Sequence, residues 1–393
     1  MKNFMRQHPL PFIVIAQLFG TSLWFSINGV WISLSEDMGV AESTLGHLTL
    51  MVQAGFITGT MSIAITGLAD RFKASRIFAL ASFFGAVVNA GFVFTAGYIH
   101  LSLILRFLTG ICLAGIYPIG MKLVVSWAPK NAGAALSWLL GMLTLGTALP
   151  HLMRGVSLGF AWQWPLLMSS LLAMFGGILI LALGNGPYLP GPKQKAHLLK
   201  GLSALKFPEF RAIAGGYFGH CWELYAFWML TPLLVTKEIG RMNLPATLIP
   251  WVSFCIIAVG LLGCVGGGWL SRRFGSFYVA YFALFTSCII CAVYPLLTWL
   301  PGSLLLILLV LWGLSVIADS PQFAAMAAVN APQEYVGSSL AVINAVGFAL
   351  TIPSIWITSS LWNLQWPWVV WWLLPGSILG LLSLKNFEKK KQL

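Results

Sequence analysis

Glu223 stands near the middle of a long apolar stretch with His220 three residues before it, so in a helix the two lie one turn apart on one face. A carboxyl in hydrocarbon is costly to keep charged, which suits a group that takes up and releases a proton. Read this way, Glu223 is the main proton-coupling group and His220 shares its proton. The plainer reading is that Glu223 only hydrogen-bonds a neighbouring helix and His220 packs against it. Asp319 is a second carboxyl within a span and precedes Ser320, Pro321 and Gln322. Pro321 frees a carbonyl one turn earlier, so a break or bend is expected there. Asp319 is either a further proton-coupling group or part of a salt bridge or polar helix joint. At the helical rise, Asp319 lies about 7 Å inward of the centre of its span and Arg106 about 10 Å outward of its own. Arg106 offers forked donors to an anionic solute or, equally, to helix carbonyls.

Gln17, Thr21, Trp24 and Asn28 recur at i, i+4, i+7 and i+11 and make one polar and aromatic face. That face can hydrogen-bond and stack on a solute, or glue helices together. Tyr117, Tyr217, Tyr225 and Gln322 are further candidates to line a solute site. Lys122 and Arg154 sit near span ends, where long stems reach headgroups. Lys122 is about 24 Å along the helix from Arg106, so the two cannot grip one small anion.

The elements that carry these residues must live in a bilayer. The chain is 59% hydrophobic and 8% charged, against roughly 25% charged in soluble domains. Twelve stretches can span, at about 11–33, 45–66, 77–95, 101–124, 134–157, 166–184, 212–235, 246–268, 277–299, 303–325, 337–360 and 367–384. They should be helices, because unpaired backbone groups are not tolerated in lipid. The net charge of +12 is distributed by topology. With both termini inside, 17 of the 22 Lys and Arg residues fall on one side, and only Lys237 and Arg241 lie in outer loops. This orients a multi-pass protein of the cytoplasmic (inner) membrane with both termini cytoplasmic. No nucleic-acid footprint is expected. The first apolar run reads as a membrane helix rather than a cleavable signal. The six cysteines read as small packing residues. With no P-loop, no metal-ligand cluster and no catalytic order of Ser, His and Asp, neither an enzyme nor a cofactor is expected.

The chain repeats. Thr66-Gly-Leu-Ala-Asp-Arg-Phe72 returns as Gly268-Trp-Leu-Ser-Arg-Arg-Phe274, 202 residues later. Pro118 pairs with Pro321 and Gly110 with Gly313, both at 203. The expected fold is all-α, with twelve transmembrane helices as two six-helix repeats. The expected division is 1–184, a linker at 185–211 with a short amphipathic helix on the cytoplasmic leaflet, and 212–393.

Three motifs carry a resemblance. Thr66 to Phe72 resembles the G-x-L-a-D-R-x-G-R-R motif of the major facilitator superfamily, departing at Thr66 and Lys73. Arg106 to Gly110 resembles its R-x-x-x-G motif, and Gly141, Gly146 and Pro150 are a partial Gly-Pro motif of its antiporters, with Leu149 in place of a glycine. The resemblance implies a central cavity that opens alternately to each side, lined largely by helices 1, 4, 7 and 10. It also implies that Asp70, beside Arg71, acts as a conformational latch against the positive end of helix 11. Arg272 replaces the acid in the second half, so the latch is one-sided. The expected function is secondary active transport of a small, anionic organic solute, coupled to protons, by a monomer. A broad drug or siderophore exporter is the rival within transport, and a nontransporting membrane sensor the rival outside it.

Overall fold

The computed structural model describes residues 2–41, 43–129, 132–188, 198–332, 334, 336–365 and 368–391. It is all-α, with no strand among the described residues. We label the spanning elements α1 (Pro9–Thr21), α2 (Ser43–Thr66), α3 (Ala74–Thr95), α4 (Ile99–Trp127), α5 (Ala132–Val156) and α6 (Gln163–Leu183). The second set is α7 (Pro208–Arg241), α8 (Ala246–Phe274), α9 (Ser276–Leu297), α10 (Gly302–Asn330), α11 (Val336–Asn363) and α12 (Val369–Phe387). Ten of these are long and apolar enough to cross a membrane. The other two have visible reasons. α1 breaks after Thr21 and resumes through the 3-10 turn Asn28–Val30 into a helix at Trp31–Met38. In α7 the apolar run is interrupted by ionisable residues.

α7 is also longer than its apolar pattern. Lys237 and Arg241, expected in an outer loop, lie in its last turns. Hydropathy alone ends the span at the first charge, whereas backbone hydrogen bonding continues the helix past it.

The contacts divide into two compact units, Met1–Lys195 with Thr247–Cys255, and Ala196–Ala246 with Ile256–Leu393. Each follows the same packing plan. In the first, α2 packs on α4, α3 and α1 on α6, and α5 on α1. In the second, α8 packs on α10, α9 and α7 on α12, and α11 on α7. The paired glycines explain the first of these contacts. A methyl on Gly110 would overlap the carbonyl of Val52, and one on Gly313 the carbonyl of Ile256. Only a bare Cα lets the helices cross so closely.

The paired prolines mark paired breaks. α4 is interrupted at Gly115 and Ile116, and α10 between Ser315 and Ser320. Tight bonds such as Gly115 N to Cys112 O (2.9 Å) and Ser320 N to Ile317 O (3.1 Å) carry the chain through. Pro118 and Pro321 sit in the first turn of the resumed helix, where a missing N–H costs nothing. The break expected at Asp319 is therefore present.

Large apolar side chains such as Phe84, Val87 and Phe94 on α3 and Leu262 on α8 are exposed, as a lipid-facing surface requires. Between the repeats, Leu198–Ser203 is helical and leads through Ala204–Lys206 into α7. The remainder of the expected linker at 189–197, with Lys193 and Lys195, lies outside the described residues.

Candidate functional site

In the second unit the side chains of His220, Glu223 and Asp319 are enclosed within the spans. His220 Nδ1 on α7 lies 2.7 Å from Asp319 Oδ1 on α10. The contact has the distance of an ion pair without the alignment of a hydrogen bond. Asp319 occupies the N-cap position of the resumed helix, and its carbonyl accepts from the amides of Gln322 (3.0 Å) and Phe323 (2.9 Å). Its carboxyl does not cap the helix. The break therefore presents this acid to α7 instead of to its own backbone. The His220 ring clusters with those of Tyr217 and Phe323, with centroids 6.0 and 6.1 Å away.

Glu223 turns elsewhere. Its Oε1 accepts from Ser287 Oγ on α9 and from Trp312 Nε1 on α10 (2.6 Å), and its Oε2 accepts from Ser377 Oγ on α12. The expected sharing of a proton between His220 and Glu223 is not the arrangement found. Residues three apart point about 60° apart around a helix axis. That angle sends His220 to Asp319, and Glu223 to a different set of partners.

The first unit has a matching hub of opposite sign. Arg106 on α4 donates from Nη1 to Leu23 O (3.2 Å), Ser26 Oγ (3.2 Å) and Asn89 Oδ1 (3.3 Å), and from Nη2 to Trp24 O (2.5 Å). Asn89 on α3 passes the connection to α6 through Leu166 O (3.2 Å) and Ser170 Oγ (3.0 Å). The break in α1 leaves the Leu23 and Trp24 carbonyls needing donors, and the guanidinium supplies them. Only Nε of Arg106 is left without a partner. Helices 1, 3, 4 and 6 of one repeat are thus joined around a cation, and helices 7, 9, 10 and 12 of the other around a carboxyl.

The polar face of α1 is buried and mostly engaged. Thr21 Oγ1 donates to Gln17 O (2.8 Å), Trp24 Nε1 to Gln53 Oε1 (3.0 Å) and Asn28 Nδ2 to Thr49 Oγ1 (3.3 Å). Both polar atoms of the Gln17 amide are buried without a partner, beside Gly120. Trp24 packs on Phe56 (4.8 Å) and Phe56 stacks near Tyr117 (6.3 Å). In the second unit Tyr225 packs on Trp228 (5.2 Å) and Phe348 (5.4 Å), and Gln322 is buried.

Residues 13–355 match the sequence profile of the Major Facilitator Superfamily. The chain belongs to the major facilitator superfamily. Its fold is similar to that of a bacterial homolog of the human lysosomal transporter Spinster, solved inward-facing and unoccupied, with a TM-score of 0.74 and 15% identity over 98% of both chains. It is also similar to the nucleoside transporter NupG, solved as a point mutant, with a TM-score of 0.71 and 12% identity over 97% of this chain and 99% of that one. No curated protein matches the sequence. A major facilitator is a multi-pass membrane protein with the fold of a solute transporter, and its neighbours are transporters rather than enzymes.

Within this superfamily fold the motif residues separate. Arg71 is exposed, and the side chain of Asp70 lies outside the described residues. Lys122 Nζ donates to Ala69 O (2.5 Å), so it fastens the α2–α3 turn to α4. Arg154 donates to Phe160 O (3.0 Å) and Ser33 Oγ (2.6 Å).

Three buried groups escaped the sequence reading. Glu238 accepts from Arg241 (2.7 Å) and Tyr294 (3.2 Å), and hydropathy hides it because the apolar run of α7 stops before the helix does. Asn89 was legible as an amide inside a span, which is itself a signal. His151 on α5 is buried with Nε2 unpartnered, and stands next to Pro150 of the Gly-Pro motif.

Proposed function

We propose that this chain is a proton-coupled secondary active transporter that moves a small organic solute across the cytoplasmic membrane by alternating access. The carrying observation is the His220–Asp319 contact, an acid and a base 2.7 Å apart, both buried in membrane-spanning helices at a helix break. One proton changes the net charge of this pair by one. In a low-dielectric interior such a change weighs heavily on which conformation is preferred. A break in α10 gives the chain a joint at which that preference can act.

The expected anionic solute leaned on Arg106. Its terminal nitrogens are engaged with α1 and α3, so Arg106 supports the shape of α1 rather than the charge of the cargo. The aromatic rows Trp24–Phe56–Tyr117 and Trp228–Tyr225–Phe348 favour a second reading, an exporter of flat or aromatic compounds. One fold neighbour is a nucleoside transporter, but at 12% identity it contributes the fold alone. The lysine and arginine distribution supports cytoplasmic termini.

The test is a solute screen in proteoliposomes with and without an imposed pH gradient. Gradient-dependent accumulation of at least one organic solute is expected. Solute movement that ignores the gradient across the screen would refute proton coupling.

A further inference from the structure

We propose that Glu223 is a positioning residue, which fixes α7 against α10 at the register where His220 meets Asp319. The inference rests on the coupling pair assigned above.

Its first support is the completeness of the Glu223 site. Three donors on three other helices converge on one carboxyl that is 0% exposed. Two of them share Oε1. The indole N–H of Trp312 is a donor only, and of its two acceptors, Oε1 at 2.6 Å and Ser287 Oγ at 3.2 Å, the carboxyl is the nearer. The serines can turn; the indole cannot reverse its role.

The second support is where the grips fall. Trp312 lies in the part of α10 before the break and Asp319 at its far edge. Glu223 and His220 sit one turn apart on the unbroken α7. α7 therefore holds α10 on both sides of the joint, by Glu223 to Trp312 before it and by His220 to Asp319 after it. Phe227, four residues beyond Glu223, packs its ring 4.6 Å from that of Trp312 and strengthens the first grip. With the first grip fixed, the turn from Ser315 to Asp319 decides where the acid emerges. If the first grip is loosened, the His220–Asp319 separation is no longer set.

The third support is the other repeat, where Arg106 joins the equivalent four helices and steadies the α1 break with uncharged acceptors.

Other titratable groups stand near the pair. Tyr217, Cys221 and Glu223 lie on α7, and Cys264 on α8, whose thiol is 3.7 Å from Ile317 O; Cys288 and Cys291 on α9 stand near Glu223 instead. Among the described residues His220 is the ion-pair partner of Asp319.

The experiment is a titration of the full chain in detergent, followed by 15N NMR of the histidine rings. His220 is assigned by difference from His220→Gln. Glu223→Gln and Glu223→Ala remove the same charge, so a difference between them reports the loss of the hydrogen bonds and of the side-chain volume, the two parts of the grip. The Gln amide still accepts from Trp312 and Ser287 and can donate to Ser377. We expect the His220 ring resonances of these two variants to follow different pH profiles. Trp312→Phe keeps the carboxyl and removes the indole donor with part of the ring, and should also displace the midpoint from the parent value. If Gln and Ala titrate alike, or a folded Trp312→Phe titrates as the parent does, the positioning role is overturned. Should Glu223→Ala fail to fold, Trp312→Phe alone decides. The titration measures no transport, so it stands or falls separately from the transport assay.

Discussion

His220 Nδ1 and Asp319 Oδ1 lie 2.7 Å apart on two helices although the residues are 99 positions apart in sequence, and neither side chain is exposed. Removing one member of a buried pair leaves the other without compensation, which typically costs about 3–5 kcal/mol when the survivor stays charged. His220→Gln and Asp319→Asn should each lower thermal stability. The double variant should recover part of the loss, with a coupling energy of about 0.5–3 kcal/mol. Strictly additive losses in a double-mutant cycle would show that the contact contributes nothing.

Arg106 should act on α1 rather than on solute. Arg106→Lys removes the fork that reaches the Leu23 and Trp24 carbonyls together. Hydrogen exchange should rise in the segment 22–30 while α6 beyond Ser170 keeps its protection. Unchanged exchange at 22–30 would dissociate Arg106 from the α1 break.

The close crossings give a stability test with an internal control. Gly110→Ala and Gly313→Ala force a methyl onto a facing carbonyl and should each cost about 1–3 kcal/mol, as overpacking does. A methyl at Gly97 meets nothing, so Gly97→Ala should be near neutral. Equal melting shifts in all three would mean the crossings are looser than described.

Orientation can be read directly. A cysteine replacing the exposed Phe160, in a background without the six native cysteines, should be labelled by an impermeant reagent added outside. Labelling only from the cytoplasmic side would invert the proposed topology.

The sequence made the scaffold legible because lipid leaves few choices. Long apolar runs must be helices, and the pairing of Gly110 with Gly313 and Pro118 with Pro321 exposes the repeat in the sequence itself. Both pairs turned out to mark physical events, a helix crossing and a helix break. The break in α1 was not legible, since no proline lies between Thr21 and Asn28 and the carbonyls there are capped from another helix by Arg106. The candidate site was legible by residue type but not by pairing. One turn of helix separates His220 from Glu223, and only the three-dimensional packing of α9, α10 and α12 decides that they face different partners. Glu238 was hidden for a simpler reason, because hydropathy ends a helix where its charges begin.

The central claim is that the His220–Asp319 pair couples proton movement to solute movement. The direct measurement is Asp319→Asn in proteoliposomes, using a solute that the parent protein accumulates under a pH gradient. Asparagine keeps the shape of the side chain and removes its charge cycle. Solute exchange without a gradient should persist, while gradient-driven accumulation should be lost. Accumulation at the parent level in Asp319→Asn would contradict the account.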